Sequence, residues 1–299
     1  MQRASDERIR EILKDFEVSS GVYRRESVDA ALELKDEIIP HLIGVLETVL
    51  SNPAHYAAQD DFYTHTYAIM LLGHFKEPRA HRPIVNLVGL PGDLPDHLLG
   101  DLITEDLPTI LLRTCDGSLE HIRALALNEN ANVYCRGSAL KAMAFAVASG
   151  LATRSRVLDF LGSLLTPSEG GPDSDLSSMA SARINDLYPE ELMDTIEKAF
   201  EDGLISPFYI GLEDFRRTLE RGKEETLERL RKRMEQVSLD DIHASMSWWA
   251  CFRDEHHIPS FPAHRIASGT AKRKRSKAER KRKAERRRKA ERTSRRRNR

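Results

Sequence analysis

Residues 132–165 read NVYCRGSALKAMAFAVASGLATRSRVLDFLGSLL. Leu140, Met143, Ala144 and Val147 fall at i, i+3, i+4 and i+7, so they share one face of a helix. Gly150 interrupts that pattern, and Val157, Phe160, Leu161 and Leu164 repeat the spacing on a second helix. Two apolar stripes joined by a short turn must fold back on each other, because neither buries its face alone. The rest of the chain reads as variations on this helical hairpin.

Toward the N-terminus, helices are predicted around Ser118–Leu127 and Thr104–Arg113, preceded by a Pro/Gly turn over Leu90–Asp96. A second hairpin places Ala68, Leu71, Leu72 and Phe75 on one helix after Asp60 and Asp61. It turns at Glu77-Pro78 and continues through Ile84, Leu87 and Val88, with Pro83 near the start. Ile38–Leu50 forms another helix, closed by Asn52-Pro53, and Pro40 is expected in its first turn, where a missing N–H costs nothing. A short helix spans Val28–Leu34. The first helix carries Ile9, Ile12, Leu13 and Phe16 and is expected to be capped by Ser5 or Asp6.

Toward the C-terminus, residues 166–175 (TPSEGGPDSD) are a loop by composition. A third hairpin follows, Leu176–Leu187 and Pro189–Asp202, with Pro189 at the first helical position, Leu192, Ile196 and Phe200 buried, and Gly203 as the stop. Leu212–Arg221 and Glu224–Gln236 continue the array. A last helix, capped by Ser238 or Asp240, reaches Trp248-Trp249. There is almost no strand signal. Helix pairs recurring at about 35–45 residues mark an all-α solenoid.

The hydrophobic fraction of 40% supports a real core, while 6% aromatic and 31% charged residues suit a helical array better than a β sandwich. The net charge of −1 hides an asymmetry. Residues 270–299 hold 18 Lys and Arg against 3 Glu, a charge of +15, which leaves 28 basic and 44 acidic residues, −16, for residues 1–269. Such asymmetry points to an interaction tail. Cys115, Cys135 and Cys251 are odd in number and widely spaced and make no disulfide framework, so a cytoplasmic location is expected. The charged start MQRASDERIREILKDFE has no apolar signal core, and no stretch approaches the ~18 apolar residues of a membrane span.

Five stretches carry a resemblance. They are DEIIPHLIGVLETVL (36–50), YAIMLLGHFKEPRAHRPIVNLV (67–88), LLGDLITEDLPTIL (98–111), ALKAMAFAVASGLATRSRVLDFL (139–161) and ELMDTIEKAFEDGLISPFYIGLEDF (191–215). In this order they resemble the mainly bacterial domain-of-unknown-function family numbered 1186, over most of Asp36–Phe252. The resemblance implies a HEAT-like helical repeat and no particular activity. Some members continue into a Cys-rich zinc-binding motif. This chain has no cysteine after Cys251, so a role resting on that metal does not transfer.

No phosphate-cradling GxGxxG or GxxxxGK[ST], no GxSxG elbow and no HExxH occurs. Asp93, Asp96, Asp101, Glu105 and Asp106 crowd one turn and one helix start. As a site they would be metal ligands or an acid/base pair. As structure, Thr104, Glu105 and Asp106 would cap a helix and answer its dipole, and this is the favoured expectation. Cys251, His256, His257 and His264 form C-x4-H-H-x6-H, which matches no standard zinc finger. His65, His74 and His81 are expected to be scattered rather than convergent. Trp248, Trp249 and Phe252 either seal the open end of the array or bind a partner.

The tail is the strongest signal. KAER recurs at 277–280, 283–286 and 289–292, and Glu279–Lys283, Glu285–Lys289 and Glu291–Arg295 are spaced to support a helix. A step of six spreads the Ala residues around that helix, so it has no coiled-coil seam and is expected to be largely disordered when free. Lys272, Arg273, Lys274, Arg275, Lys277, Arg280, Lys281, Arg282, Lys283, Arg286, Arg287, Arg288, Lys289 and Arg292 are the candidate nucleic-acid-binding residues. Without interleaved aromatics, binding would be sequence-independent. The expected organisation is a HEAT-like domain over 1–266 and a basic tail over 267–299. The expected function is non-catalytic: the array binds a protein partner and the tail a polyanion, with no cofactor. The competing class is an enzyme using Asp101, Glu105 and Asp106.

Overall fold

The computed structural model describes residues 2–17, 21–59, 61–166, 175–249 and 252. These form seventeen α-helices and two short 3-10 turns, with isolated bridge residues that include the pair Pro91 and Ala131, and no strand among the described residues. In order the helices are α1 (Gln2–Glu17), α2 (Arg25–Glu33), α3 (Lys35–Ser51), α4 (Pro53–Ala57), α5 (Thr64–Phe75) and α6 (His81–Val88). Next come α7 (Leu94–Leu99), α8 (Leu102–Glu105), α9 (Leu107–Thr114), α10 (Glu120–Leu127), α11 (Val133–Ala148) and α12 (Arg154–Ser163). The last five are α13 (Leu176–Asp186), α14 (Met193–Glu201), α15 (Leu212–Arg221), α16 (Lys223–Gln236) and α17 (Ile242–Met246). Among the described residues no helix is long and apolar enough to cross a membrane. Cys251, His256, His257, His264 and the basic segment 267–299 lie outside the described residues.

Two rows of helices stack in chain order. In the first row α3 packs on α5, α5 on α9, α9 on α11 and α11 on α13. In the second, α6 packs on α10 and Arg123 of α10 lies over the Phe160 ring of α12, 5.3 Å from its centroid. The rows join where α6 meets α3 and α9, α10 meets α11, and α12 meets α13. This is the array expected from hairpin recurrence. The 132–165 hairpin holds, since α11 and α12 pack on each other. The second hairpin is looser than expected, because α5 packs on α3 and α9 in preference to α6.

α11 departs from its sequence pattern. Leu140, Met143 and Ala144 are buried as the stripe predicts, but so are Cys135, Ala139, Ala142 and Ala146 on its other sides. Small residues allow this. A Cβ on Gly137 would collide with the Met179 sulfur of α13, so glycine lets those helices close. α11 is thus the hub of the array and not one side of an isolated hairpin.

Several local expectations change. α1 begins at Gln2, because Gln2, Arg3 and Ala4 are good helix formers, so neither Ser5 nor Asp6 caps it. Pro40 lies inside α3, beyond the first turn, on the exposed side where solvent meets the carbonyl it leaves unbonded. The turn at Leu90 ends by Asp93, and α7 begins at Leu94 with Pro95 in its first turn. The helix expected over Thr104–Arg113 is two, α8 and α9, broken at Asp106, with Pro108 starting the second. Pro189 precedes a 3-10 turn, Glu190–Leu192, ahead of α14, in which Ile196 is buried while Leu192 and Phe200 are half-buried.

The C-terminal limb decides where the site lies. After α14 the chain turns back. α16 packs on α11 and α13, and α17 packs on α5. Between them Leu239 is fully buried against Gly73, where a Cβ would sit 3.1 Å from Leu239 and 2.9 Å from Ile110. Arg113 locks this crossing, donating to the carbonyls of Gly73 (2.9 Å) and His74 (3.0 Å) and to Asp240 (2.7 Å). α17 is capped by Asp241, which accepts from the Ala244 N–H at 2.9 Å, and not by Ser238 or Asp240, which bond each other. His243 then bridges Tyr23 and Asp29, each at 2.8 Å. Trp249 stacks on Phe252, whose ring meets Tyr23, Tyr63 and Tyr67. The limb therefore runs back along the first row, and these aromatic residues do not seal the far end of the array.

Candidate ligand cavity

The return of the limb brings two sequence-distant candidates together. A cavity of 390 Å³ is lined by Tyr56 and Gln59 after α3, Phe62, Tyr63, His65 and Thr66 at the start of α5, residues 96–102, Glu105, Asp106, Trp248 and Trp249. Asp101, Glu105 and Asp106 thus share one cavity with Trp248 and Trp249, whereas Phe252 packs behind Trp249. The volume falls within the ~300–1,000 Å³ of ordinary ligand sites.

Each wall follows from local sequence. Pro95 and Pro108 set the first turns of α7 and α9, and Gly100 takes a positive φ of 53° between α7 and α8, so the acidic residues sit at successive helix junctions. The expected capping role does not hold. Asp101 and Asp106 occupy N-cap positions, yet neither side chain makes a capping bond, and Thr104 bonds the Asp101 carbonyl. The backbone carbonyls of Asp101 and Asp106 start the two helices, leaving their carboxylates to the cavity.

Asp106 is pushed up to about 7 by burial and by the neighbouring Glu105, with Lys141 opposing. Burial and Asp101 push Glu105 up as well. Lys141 reaches this region from α11, but its ammonium approaches the Thr104 carbonyl at 3.5 Å and lies 5.6 Å from the Phe145 ring centroid. No described side chain donates to the Asp106 carboxylate.

His65 forms the floor and is 2% exposed. A carbonyl can only accept, so Nε2–H donates to Leu98 at 2.6 Å and the proton sits on Nε2. Nδ1 then presents a buried lone pair with no partner. Burial holds this imidazole below the usual histidine range. Its ring stacks on Phe62, which touches Tyr56. His65, His74 and His81 do not converge: His74 bonds the Leu239 carbonyl and His81 bonds Thr114. Among the described residues no three His, Cys, Asp or Glu side chains come together as metal ligands. Cys135 is a buried thiol pushed up to about 12 by burial, which leaves it unreactive.

The aromatic wall was missed in the sequence, although a signal was present. Tyr56, Phe62, Tyr63 and Tyr67 fall within twelve residues of a chain that is only 6% aromatic.

A family model described as a protein of unknown function, DUF1186, matches residues 7–253. An uncharacterised protein of Chlamydia muridarum is 33% identical over 207 residues, covering 69% of this chain and 82% of the relative. An uncharacterised protein of Chlamydia trachomatis serovar D matches with the same identity and coverage. No solved structure matches the chain. The matched span runs from α1 through the returning limb and includes every wall of the cavity, and the chain belongs to the DUF1186 family.

Proposed function

We propose that this is a non-catalytic cytoplasmic binding protein in which the helical domain, 1–266, engages a protein partner and the basic segment, 267–299, anchors the complex to a polyanion, nucleic acid first. The observation that carries this is the segregation of charge, +15 over residues 270–299 against −16 for the rest. On the helical domain, Arg217, Arg229 and Arg233 are paired with Asp214, Glu225 and Asp186. Phosphate neutralisation by the fourteen bases from Lys272 to Arg292 named above releases counterions and needs no fixed fold. A protein partner is supported by exposed aromatic surface: Phe208 is fully exposed, and Tyr209, Tyr134 and Trp248 are about half exposed.

The test compares the full chain with a chain ending at Ala267 for binding to generic RNA and DNA over a salt series. The expected result is binding by the full chain alone, falling about 10³-fold or more between 50 and 200 mM salt. Equal binding by both chains, or by neither, overturns it.

A second reading, an acid/base enzyme using Asp101, Glu105 and Asp106, is supported by the position of all three on one cavity and by the elevation of Asp106 to about 7. It requires that a cavity ligand be chemically converted, and that Asp106→Asn stop conversion even when the cavity is saturated with ligand. NMR of the ligand over hours distinguishes turnover from binding.

A further inference from the structure

The cavity combines two features. Its carboxylates, Asp101, Glu105 and Asp106, receive no guanidinium or ammonium as a direct partner among the described residues. Aromatic side chains, Tyr56, Phe62, Tyr63, Trp248 and Trp249, share the rest of the lining with His97, Leu98, Leu99 and Leu102. Acidic residues at helix junctions would mean little alone. Here they share one cavity with aromatic side chains brought in from separate segments, while His65, 98% buried in the wall, keeps an Nδ1 lone pair that meets no donor but is closed off from the cavity space. Carboxylates and π faces favour the same guest. Each attracts positive charge or an N–H donor, and neither attracts an anion.

We propose that this cavity binds a small organic cation, an ammonium group held between the aromatic walls and the carboxylates of Asp101, Glu105 and Asp106. The volume of 390 Å³ admits a compact amine or a lysine side chain and excludes a folded segment. The site differs from the polyanion anchor in place and in charge, and it stands whether or not the basic segment binds nucleic acid. An ammonium could be free, as in a quaternary amine, or presented on a lysine side chain. Both present a positive charge to the carboxylates and π faces, and only the lysine ammonium also donates N–H bonds.

The chain contains two tryptophans and both line the cavity, so intrinsic tryptophan emission reports on this site without a label. The full chain is titrated with choline, with N-acetyl-lysine amide, with 3,3-dimethyl-1-butanol as a neutral isostere of choline, and with NaCl at matched ionic strength. Calorimetry runs in parallel in case the emission is silent. The expected result is saturable binding of at least one of the two cations, at least about tenfold tighter than the neutral alcohol, with no saturable response to NaCl. Choline alone identifies a free quaternary amine, and the lysine amide alone a presented side chain. Asp106→Asn keeps the shape and removes the charge, and is expected to weaken the cation by about tenfold or more while leaving the alcohol unchanged. Asp101→Asn, on an exposed residue, is the second variant and is expected to act in the same direction. Equal affinity for choline and its neutral isostere, no saturable cation binding by either method, or undiminished binding in both variants would overturn the proposal.

Discussion

Two corners of the molecule hold carboxylates in opposite ways. At the clamps a mostly buried arginine serves a helix end and a carboxylate together. Arg113 donates to the Gly73 and His74 carbonyls at the end of α5 and pairs with Asp240. Arg154 does the same for the Leu187 and Tyr188 carbonyls after α13 and pairs with Glu191. Ser238 and Arg113 hold Asp240 at about 2, and Arg154 holds Glu191 at about 2. In the cavity the carboxylates have no such cation, and Asp106 goes up to about 7 instead. At these two clamps a guanidinium meets the carboxylate that joins two elements, whereas Asp29 and Asp96 reach across through His243 and Asn132. A carboxyl buried without such a donor, as Asp106 is, keeps its proton more readily than its charge.

The largest effect is expected at a clamp. Arg113→Ala leaves two helix-end carbonyls and Asp240 without their donor and should cost about 2–4 kcal/mol in urea unfolding. Asp240→Ala removes the exposed partner only and should cost under about 1 kcal/mol. Equal losses would break the idea that the clamp works through the helix end and not through the ion pair.

The cavity should behave in the reverse sense. A carboxyl raised from 3.8 to about 7 in the fold binds its proton more tightly there than when unfolded, so its contribution declines as pH rises through that interval. Asp106→Asn is therefore expected to stabilise the protein at pH 8, by roughly 2–4 kcal/mol at 1.36 kcal/mol per pH unit, and to change nothing at pH 3.5. A destabilised Asn variant at pH 8 would show that Asp106 makes a structural bond and would remove the contrast with the clamps.

His81 offers a smaller check on buried groups outside both corners. Burial and the neighbouring His121 lower it to about 4, so protonation is penalised in the fold. Stability should be fully present above 6.5 and decline as pH falls toward 4, and His81→Gln should flatten that decline in thermal melts. The smallest effect is expected from deleting residues 272–299. It should leave the melting temperature unchanged, because no residue there is apolar enough to join a core. A drop of several degrees would show that the basic segment braces the acidic domain.

Much of the array was legible. The buried positions Val157, Phe160 and Leu161 follow from spacing because a helix half-turned to solvent must carry its apolar residues at that period, whereas Ala68, Leu71, Leu72 and Phe75 lie on α5, which is enclosed on nearly every side. α11 was legible as a helix but not as a hub, since a helix buried on all sides has no face to betray. Asp101, Glu105 and Asp106 were legible as a cluster. Their use as caps was the ordinary expectation and failed because the backbone carbonyls at the junctions start α8 and α9 without side-chain help. The aromatic wall from Tyr56 to Tyr63 lies between periodic segments, where no pattern assigns a direction.

By itself the sequence determined the helices, the turns that separate them, the family and the charge asymmetry, because each is written in local spacing and composition. Only the tertiary structure decided that the last thirty described residues run back across the first row. Two contacts far apart in sequence make that turn, Leu239 on Gly73 and Arg113 on Asp240. They carry Trp248 and Trp249 to the carboxylates of Asp101, Glu105 and Asp106. A side chain's chemistry is local, but what it faces depends on which segment returns to meet it, and no periodicity records that meeting.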